Sequence, residues 1–207
     1  MPQITRLPEP RFENPPKQPW EWVREWIEAA QNAGQIEPTA MNLATVDADG
    51  RPSNRTVLFK GWHAGMPCFY TNYEGRKGQE LLEQGWASIC FWWDRLDRQI
   101  RMEGRVRQLP TEVSDAYFAS RGRRSQIGAW ASAQSYPIDS RADLEARFHS
   151  VEMHYDGQSV PRPPHWGGFG LKVDRVELWQ GQNDRFHDRL QYTLHADEKW
   201  LAERLQP

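Results

Sequence analysis

The chain predicts a mainly β fold with inserted helices, a closed barrel with helical decoration. Two observations carry this. Period-two apolar runs give roughly eight short strands, and most come as neighbours across a tight turn, as in hairpins. Stretches of helical period interrupt the strands rather than alternate with them, so a doubly wound parallel sheet is disfavoured.

The elements follow in order. Residues 1–19 are proline-rich and polar and read as an extended arm, mobile or draped over the body; residues 20–207 read as one domain. Trp20–Gln31 is a helix, with Trp20, Val23, Ile27 and Ala30 at helical spacing and Gly34 just past its end. Ala40–Val46 and Ser53–Lys60 are strands joined by DADG, a hairpin signal. Met66–Thr71 is a third strand. Gly75–Gln84 is a short helix with Leu81 and Leu82 on its buried side. Trp86–Trp93 and Gln99–Leu109 are strands linked by DRLDR; in the second, Ile100, Met102 and Val106 share one face. Thr111–Arg121 is a helix with Thr111 as its N-cap, and Ser140–Tyr155 is another, striped by Leu144, Phe148, Val151 and Tyr155. SVPRPPHWGG breaks the pattern. The closing strands are Phe169–Val173, Val176–Trp179 and Arg189–Leu194, with Trp200–Leu205 as a further one.

Bulk composition excludes several classes. With 207 residues the chain buries a real core, and its net charge of −2 argues against a bulk nucleic-acid binder. Arg95, Arg98, Arg101, Arg105 and Arg107 cluster locally, but Asp94, Asp97 and Glu103 interleave with them. No apolar run reaches membrane-spanning length, and the N-terminus has no signal-peptide core. Cys68 and Cys90 sit in separate strands and read as unpaired thiols, which fits a cytoplasmic protein; with no Cys/His cluster, a metal site is not expected. The 11 tryptophans suit a flat-ring ligand or a subunit interface as well as they suit a core.

Four segments concentrate groups that bind anions. In SNRTVLFK, Arg55 and Lys60 start on opposite strand faces; either they serve two anions or the strand twists between them. Arg76 and Lys77 occupy the first turn of a helix, where cations oppose the dipole unless an anion sits there. Tyr117 and Arg121 are four apart on one helical face, and Ser125 follows in the loop; the three together suit a phosphate dianion. The stretch Arg121–Ser135 is read as irregular. If the chain is extended at Arg185, His187 and Arg189, the three align on one side and repel one another without an anion. Two such mixed segments, RGRRSQIGAWASAQS and WQGQNDRFHDR, suit a phosphorylated ring compound better than a core.

From about Glu37 to Pro207 the chain resembles the pyridoxine/pyridoxamine 5′-phosphate oxidase family. EPTAMNLATVD, RTVLFK, FYTN with GRKGQEL, RQIRMEGRV, YFASRGRRSQIGAWASAQS, PPHWGGF, VELWQG and RFHDRLQY recur in order. The resemblance implies an FMN-binding split β-barrel and a homodimer with FMN in clefts between subunits. It implies oxidation of pyridoxine or pyridoxamine 5′-phosphate to pyridoxal 5′-phosphate, with O2 reduced to hydrogen peroxide. Carried over by position, Arg55, Arg76 and Lys77 hold the FMN phosphate. Tyr70, Thr71, Gln99, Gln134, Ser135, Trp179 and Arg189 complete the cofactor contacts, with Lys60 also counted among them. Lys60, Tyr117, Arg121 and Ser125 take the substrate phosphate. Arg185 and His187 are the catalytic pair holding the substrate ring. The family's basic N-terminal arm has no close counterpart here, where Arg6, Arg11 and Lys17 are the arm's cations. Phenazine-biosynthesis flavin oxidases share the scaffold and the arginine-x-histidine element but differ around SQIGAW, which is intact here. A flavin or pyridoxal phosphate binder without turnover has no use for that element.

Overall fold

A computed structural model describes residues 10–207 of the chain; the expectations for residues 1–9, Arg6 among them, lie outside the described residues. Alternating sequence gives the strands β1 Ala40–Val46, β2 Pro52–Leu58, β3 Trp62–His63, β4 Met66–Asn72, β5 Trp86–Trp93, β6 Arg98–Gln108, β7 Trp166–Gln180, β8 Asp188–Leu194 and β9 Trp200–Arg204. The helices are α1 Trp20–Asn32, α2 Arg76–Gln84, α3 Thr111–Ala119, α4 Arg123–Ala131 and α5 Arg141–His154. Every ladder is antiparallel, in the order β2-β1-β5-β6-β7-β4-β3, with β8 and β9 branching from β7.

The barrel is split, as the family resemblance implies, and not closed as the strand pattern alone suggests. Between the end of β2 and β4 two backbone bonds stand in place of a ladder, Lys60 N to Cys68 O (2.8 Å) and Cys68 N to Gly61 O (2.9 Å). The cause lies in β7. Its first part pairs with β4 and its second with β8, so the sheet forks there. A bulge marks the change: Arg175 faces Glu103 and Val173 faces Gly104, leaving Asp174 as the extra residue. Gly104 has no side chain because a Cβ there would collide with the Lys172 carbonyl. The two expected strands 169–173 and 176–179 are thus one strand bent at its bulge.

Inside lie Trp22, Trp26, Met41, Leu43, Phe69, Phe91, Trp93, Ile100, Phe169, Val176 and Tyr192. The described part of the arm is draped. Phe12 packs edge-on against Trp22, and the Tyr192 hydroxyl donates to Pro16 O. A second cluster, Phe118, Ile127, Val160 and Trp166, fastens α3 and α4 to the start of β7.

Local expectations fail in three places. Of the two leucines of α2, Leu81 is buried and Leu82 exposed, because the helix lays Gly78, Glu80 and Leu81 inward. Thr111 is the first helical residue rather than the cap; Pro110 holds the cap position without a side-chain bond. The stretch expected to be irregular contains α4, which buries Ile127 and Ala131 one turn apart, so Ser125 lies in a helical first turn and not in a loop.

Candidate active site

One cavity of about 590 Å³ gathers Arg55, Lys60, Tyr70, Thr71, Lys77, Tyr117, Arg121, Ser125 and Gln134, with Trp166 in its wall. β2, β4, α2, α3, α4 and the start of β7 all contribute. Arg55 and Lys60 reach the same cavity because β2 stops at Leu58 and the chain turns at Gly61, where φ is +94°.

At one end Arg55 is gripped from behind. Its guanidinium donates to the Thr45 hydroxyl, to Ser53 Oγ (2.6 Å) and to Glu80 Oε2 (3.2 Å). Glu80 is buried, 4% exposed, and also accepts from Thr45, Ser53 and Arg76 Nε (2.8 Å). Burial alone would raise its carboxyl; the donors from Thr45, Ser53, Arg76 and Arg55 outweigh that and hold it at about 2. Lys77 Nζ donates to Gln134 Oε1 (2.6 Å) and Thr71 Oγ1 (3.1 Å). Burial and then the Arg55 charge push Lys77 below its ordinary value, against a smaller pull from Glu80. Two cations confronting each other in a partly buried space fit a phosphate group between them.

The other end is aromatic. Tyr70 and Tyr117 stack with centroids 3.8 Å apart, and both run nearly parallel to Trp166, at 12° and 4°. Burial raises the Tyr117 hydroxyl, against the pull of Arg121, so it stays a proton donor at neutral pH. Arg121 lies over Trp166, Cζ 4.5 Å from the ring centroid. Its Nη1 is buried and has no hydrogen-bond partner. A buried guanidinium N–H without an acceptor is costly, and a phosphate oxygen is the acceptor that suits it.

The remaining candidates gather elsewhere. Trp92, Gln99, Trp179 and Arg189 lie in one row across β5, β6, β7 and β8. The His187 ring sits 4.7 Å from that of Trp179, and its Nδ1 accepts from Gln182 N. None of Gln99, Trp179, Arg185, His187 and Arg189 lines the cavity. The expected alignment of Arg185, His187 and Arg189 does not form, because a 3-10 turn over Asn183–Arg185, with Asp184 and Arg185 at positive φ, breaks the extended chain. Arg189 needs no external anion: Nε donates to Glu177 Oε1 (2.9 Å) and Nη1 to Gln206 O (2.9 Å). Arg76 is half exposed and directed at Glu80, and Ser135 is exposed beside Gln134, with φ of 73°.

Glu80, Glu177 and Trp166 escaped the sequence reading. The i,i+4 spacing of Arg76 and Glu80 was the available signal for the first. Glu177 sits on the sheet face opposite buried Val176 and Leu178, where nothing local marks it as buried.

Residues 24–155 match the sequence model of the family described as pyridoxamine 5′-phosphate oxidase. Residues 166–207 match that described as the pyridoxine 5′-phosphate oxidase C-terminal dimerisation region. A pyridoxine/pyridoxamine 5′-phosphate oxidase of Gloeothece citriformis is 49% identical over 189 residues, covering 91% of this chain and 88% of the relative. One of Chromobacterium violaceum is 52% identical over 182 residues, covering 88% and 85%. Among solved structures, PhzG from Burkholderia lata 383, in complex with tetrahydrophenazine-1-carboxylic acid, superposes with a TM-score of 0.92 at 31% identity, covering 99% of this chain and 100% of that one. A pyridoxamine 5′-phosphate oxidase-related, FMN-binding protein from Nostoc punctiforme reaches 0.73 at 19% identity, covering 92% and 98%, a likeness of fold alone.

Proposed function

The chain belongs to the pyridoxamine 5′-phosphate oxidase family, and from that premise we propose how it oxidises pyridoxine or pyridoxamine 5′-phosphate to pyridoxal 5′-phosphate with FMN as cofactor. The observation that carries the assignment to this cavity is its two separate cationic groups, Arg55 facing Lys77 and Arg121 on the aromatic wall, with Lys60 also in the lining. Two phosphate-bearing ring compounds need such a cavity.

Bound FMN would supply the redox chemistry, a two-electron acceptor for oxidation at the substrate's C4′ carbon that O2 would reoxidise. The protein's share is orientation. Arg55, Lys77 and Thr71 hold the FMN phosphate, with Glu80 fixing Arg55 in place and Arg76 beside it. Lys60, Tyr117, Arg121 and Ser125 hold the substrate phosphate. Tyr70 and Gln134 line the flavin side, with Ser135 adjacent. Gln99, Trp179, Arg185, His187 and Arg189 serve the cavity of the other subunit of a homodimer; the dimerisation region spans four of them. Arg185 lies against the substrate ring and His187 bonds its substituents. Two unpaired thiols support a cytoplasmic setting, and among the described residues no helix is long and apolar enough to cross a membrane.

The decisive experiment is anaerobic. FMN-loaded protein is mixed with pyridoxine 5′-phosphate, and separately with the amine, while the oxidised-flavin band is followed. Bleaching that recovers in air is expected. Bound flavin that stays oxidised with both substrates would redirect the assignment to another aromatic reductant, such as a phenazine precursor. Arg185→Ala should lower turnover about 100-fold with FMN still bound; near-normal turnover would remove Arg185 from the reacting end.

A further inference from the structure

Unlike Arg55, Arg76 and Arg189, Arg121 has no acidic partner among the described residues. Among the described residues it makes no ion pair, and its Nη1 is buried without an acceptor. What it has is aromatic surface: the Trp166 ring 4.5 Å from Cζ and the Phe118 ring at 5.5 Å. A face of that kind attracts a guanidinium through its quadrupole and consumes none of its N–H donors. A carboxylate in the same place would occupy those donors and repel an incoming dianion.

Trp166 is itself placed with unusual firmness. It is 7% exposed and opens β7, where Arg162 Nη1 donates to its carbonyl (2.5 Å) and its own N–H donates to Pro163 O (3.1 Å). Arg162 is fixed in turn by Asp115 (2.5 Å). The next two residues are glycines of necessity. A Cβ on Gly167 would strike the Tyr73 hydroxyl, and one on Gly168 would strike Leu109 and Tyr70. The backbone therefore comes flush against β4 and sets the indole parallel to Tyr70 and Tyr117, under Arg121.

We propose that Trp166 is a positioning residue of the substrate-phosphate subsite: its indole face carries Arg121 where a carboxylate would otherwise stand, and leaves the guanidinium donors to the phosphate dianion. This rests on the assignment of that end of the cavity to the substrate phosphate.

The test uses FMN-loaded protein with Trp166→Leu, which removes the face, and Trp166→Phe, which keeps a weaker one. For Trp166→Leu, the KM for pyridoxine 5′-phosphate and the dissociation constant of inorganic phosphate (by calorimetry) should both rise about tenfold, while kcat and FMN occupancy stay within about twofold. Trp166→Phe should show a rise of about threefold. In an Arg121→Gln background either substitution should lose its effect on phosphate binding, which a merely structural tryptophan would not do. Unchanged phosphate binding in folded Trp166→Leu, or an equal loss without Arg121, overturns the proposal. If Trp166→Leu does not fold, Trp166→Phe decides through the same cycle, and no rise there overturns it. Calorimetry needs no turnover. A wild type that binds phosphate but oxidises neither substrate would sink the catalytic assignment and leave Trp166 to be judged on binding.

Discussion

At one end of the cavity Arg55 is held by a buried carboxylate and two hydroxyls; at the other Arg121 lies on an indole with one donor unmet. Both arginines are proposed to face an anion, but they are held in opposite ways. Glu80 offsets part of the charge of Arg55, Arg76 and Lys77, so that end is close to satisfied before any ligand arrives. The Arg121 end is satisfied only by its ligand. The contrast suits the two occupants proposed for these ends, a resident cofactor and a substrate that enters and leaves at every turnover. Stability is invested at the first end and binding energy is kept in reserve at the second.

The largest effect that would break this comparison is at Glu80. Glu80→Ala leaves Arg55, the buried Thr45 hydroxyl and the half-buried Ser53 hydroxyl without their shared acceptor, and should cost about 3 kcal/mol of stability in chemical denaturation. The same carboxylate makes a pH prediction. Its folded value of about 2 lies below its unfolded value of 4.5, so its stabilisation is present in full above the unfolded value. It should fade as pH falls from there through about 2, and the gap between wild type and Glu80→Gln should close over that window. A gap that stays constant over that acid window would mean that the carboxylate's charge contributes nothing.

Next in size is Arg121→Ala. On the proposed assignment it removes charge-assisted bonds to the substrate phosphate, about 2 kcal/mol, or about 30-fold in KM. Unlike the change at Glu80, it should not lower stability, since it deletes a buried N–H that has no partner. Denaturation midpoints of Arg121→Ala and wild type, measured without substrate, check this. A loss as large as that at Glu80 would erase the difference between the two ends.

How much of this the sequence disclosed follows the same divide. The strands, the DADG hairpin and the residues Arg55, Lys77, Tyr117, Arg121 and Ser125 were legible because alternation and short spacings are local. The fork of β7 was not, since it depends on β4 and β8 competing for one strand some hundred residues from β4. α4 was hidden because only Ile127 and Ala131 mark its inner face. Glu80 looks in sequence like any solvent-facing helix acid, and only the docking of α2 on β1 and β2 buries it. Trp166 was passed over as part of a loop-breaking stretch, although the two glycines after it signalled close backbone approach.

The smallest test concerns Ser125. It sits in the first turn of α4, behind Gly122, with its backbone N–H donating to Gly122 O (2.8 Å) and its side chain exposed at the cavity rim. In its proposed role, as a neutral donor in the same cavity as Arg121 and Tyr117, it gives one hydrogen bond to the phosphate, so Ser125→Ala should raise KM by about 1 kcal/mol, or about fivefold, with kcat and stability unchanged. Its value lies in the direction of coupling. If Arg121 is held by Trp166 rather than by its ligand, Ser125→Ala and Trp166→Leu should add independently in KM. If the phosphate itself anchors the guanidinium, the two losses should be strongly non-additive, and the indole would then be packing rather than a support.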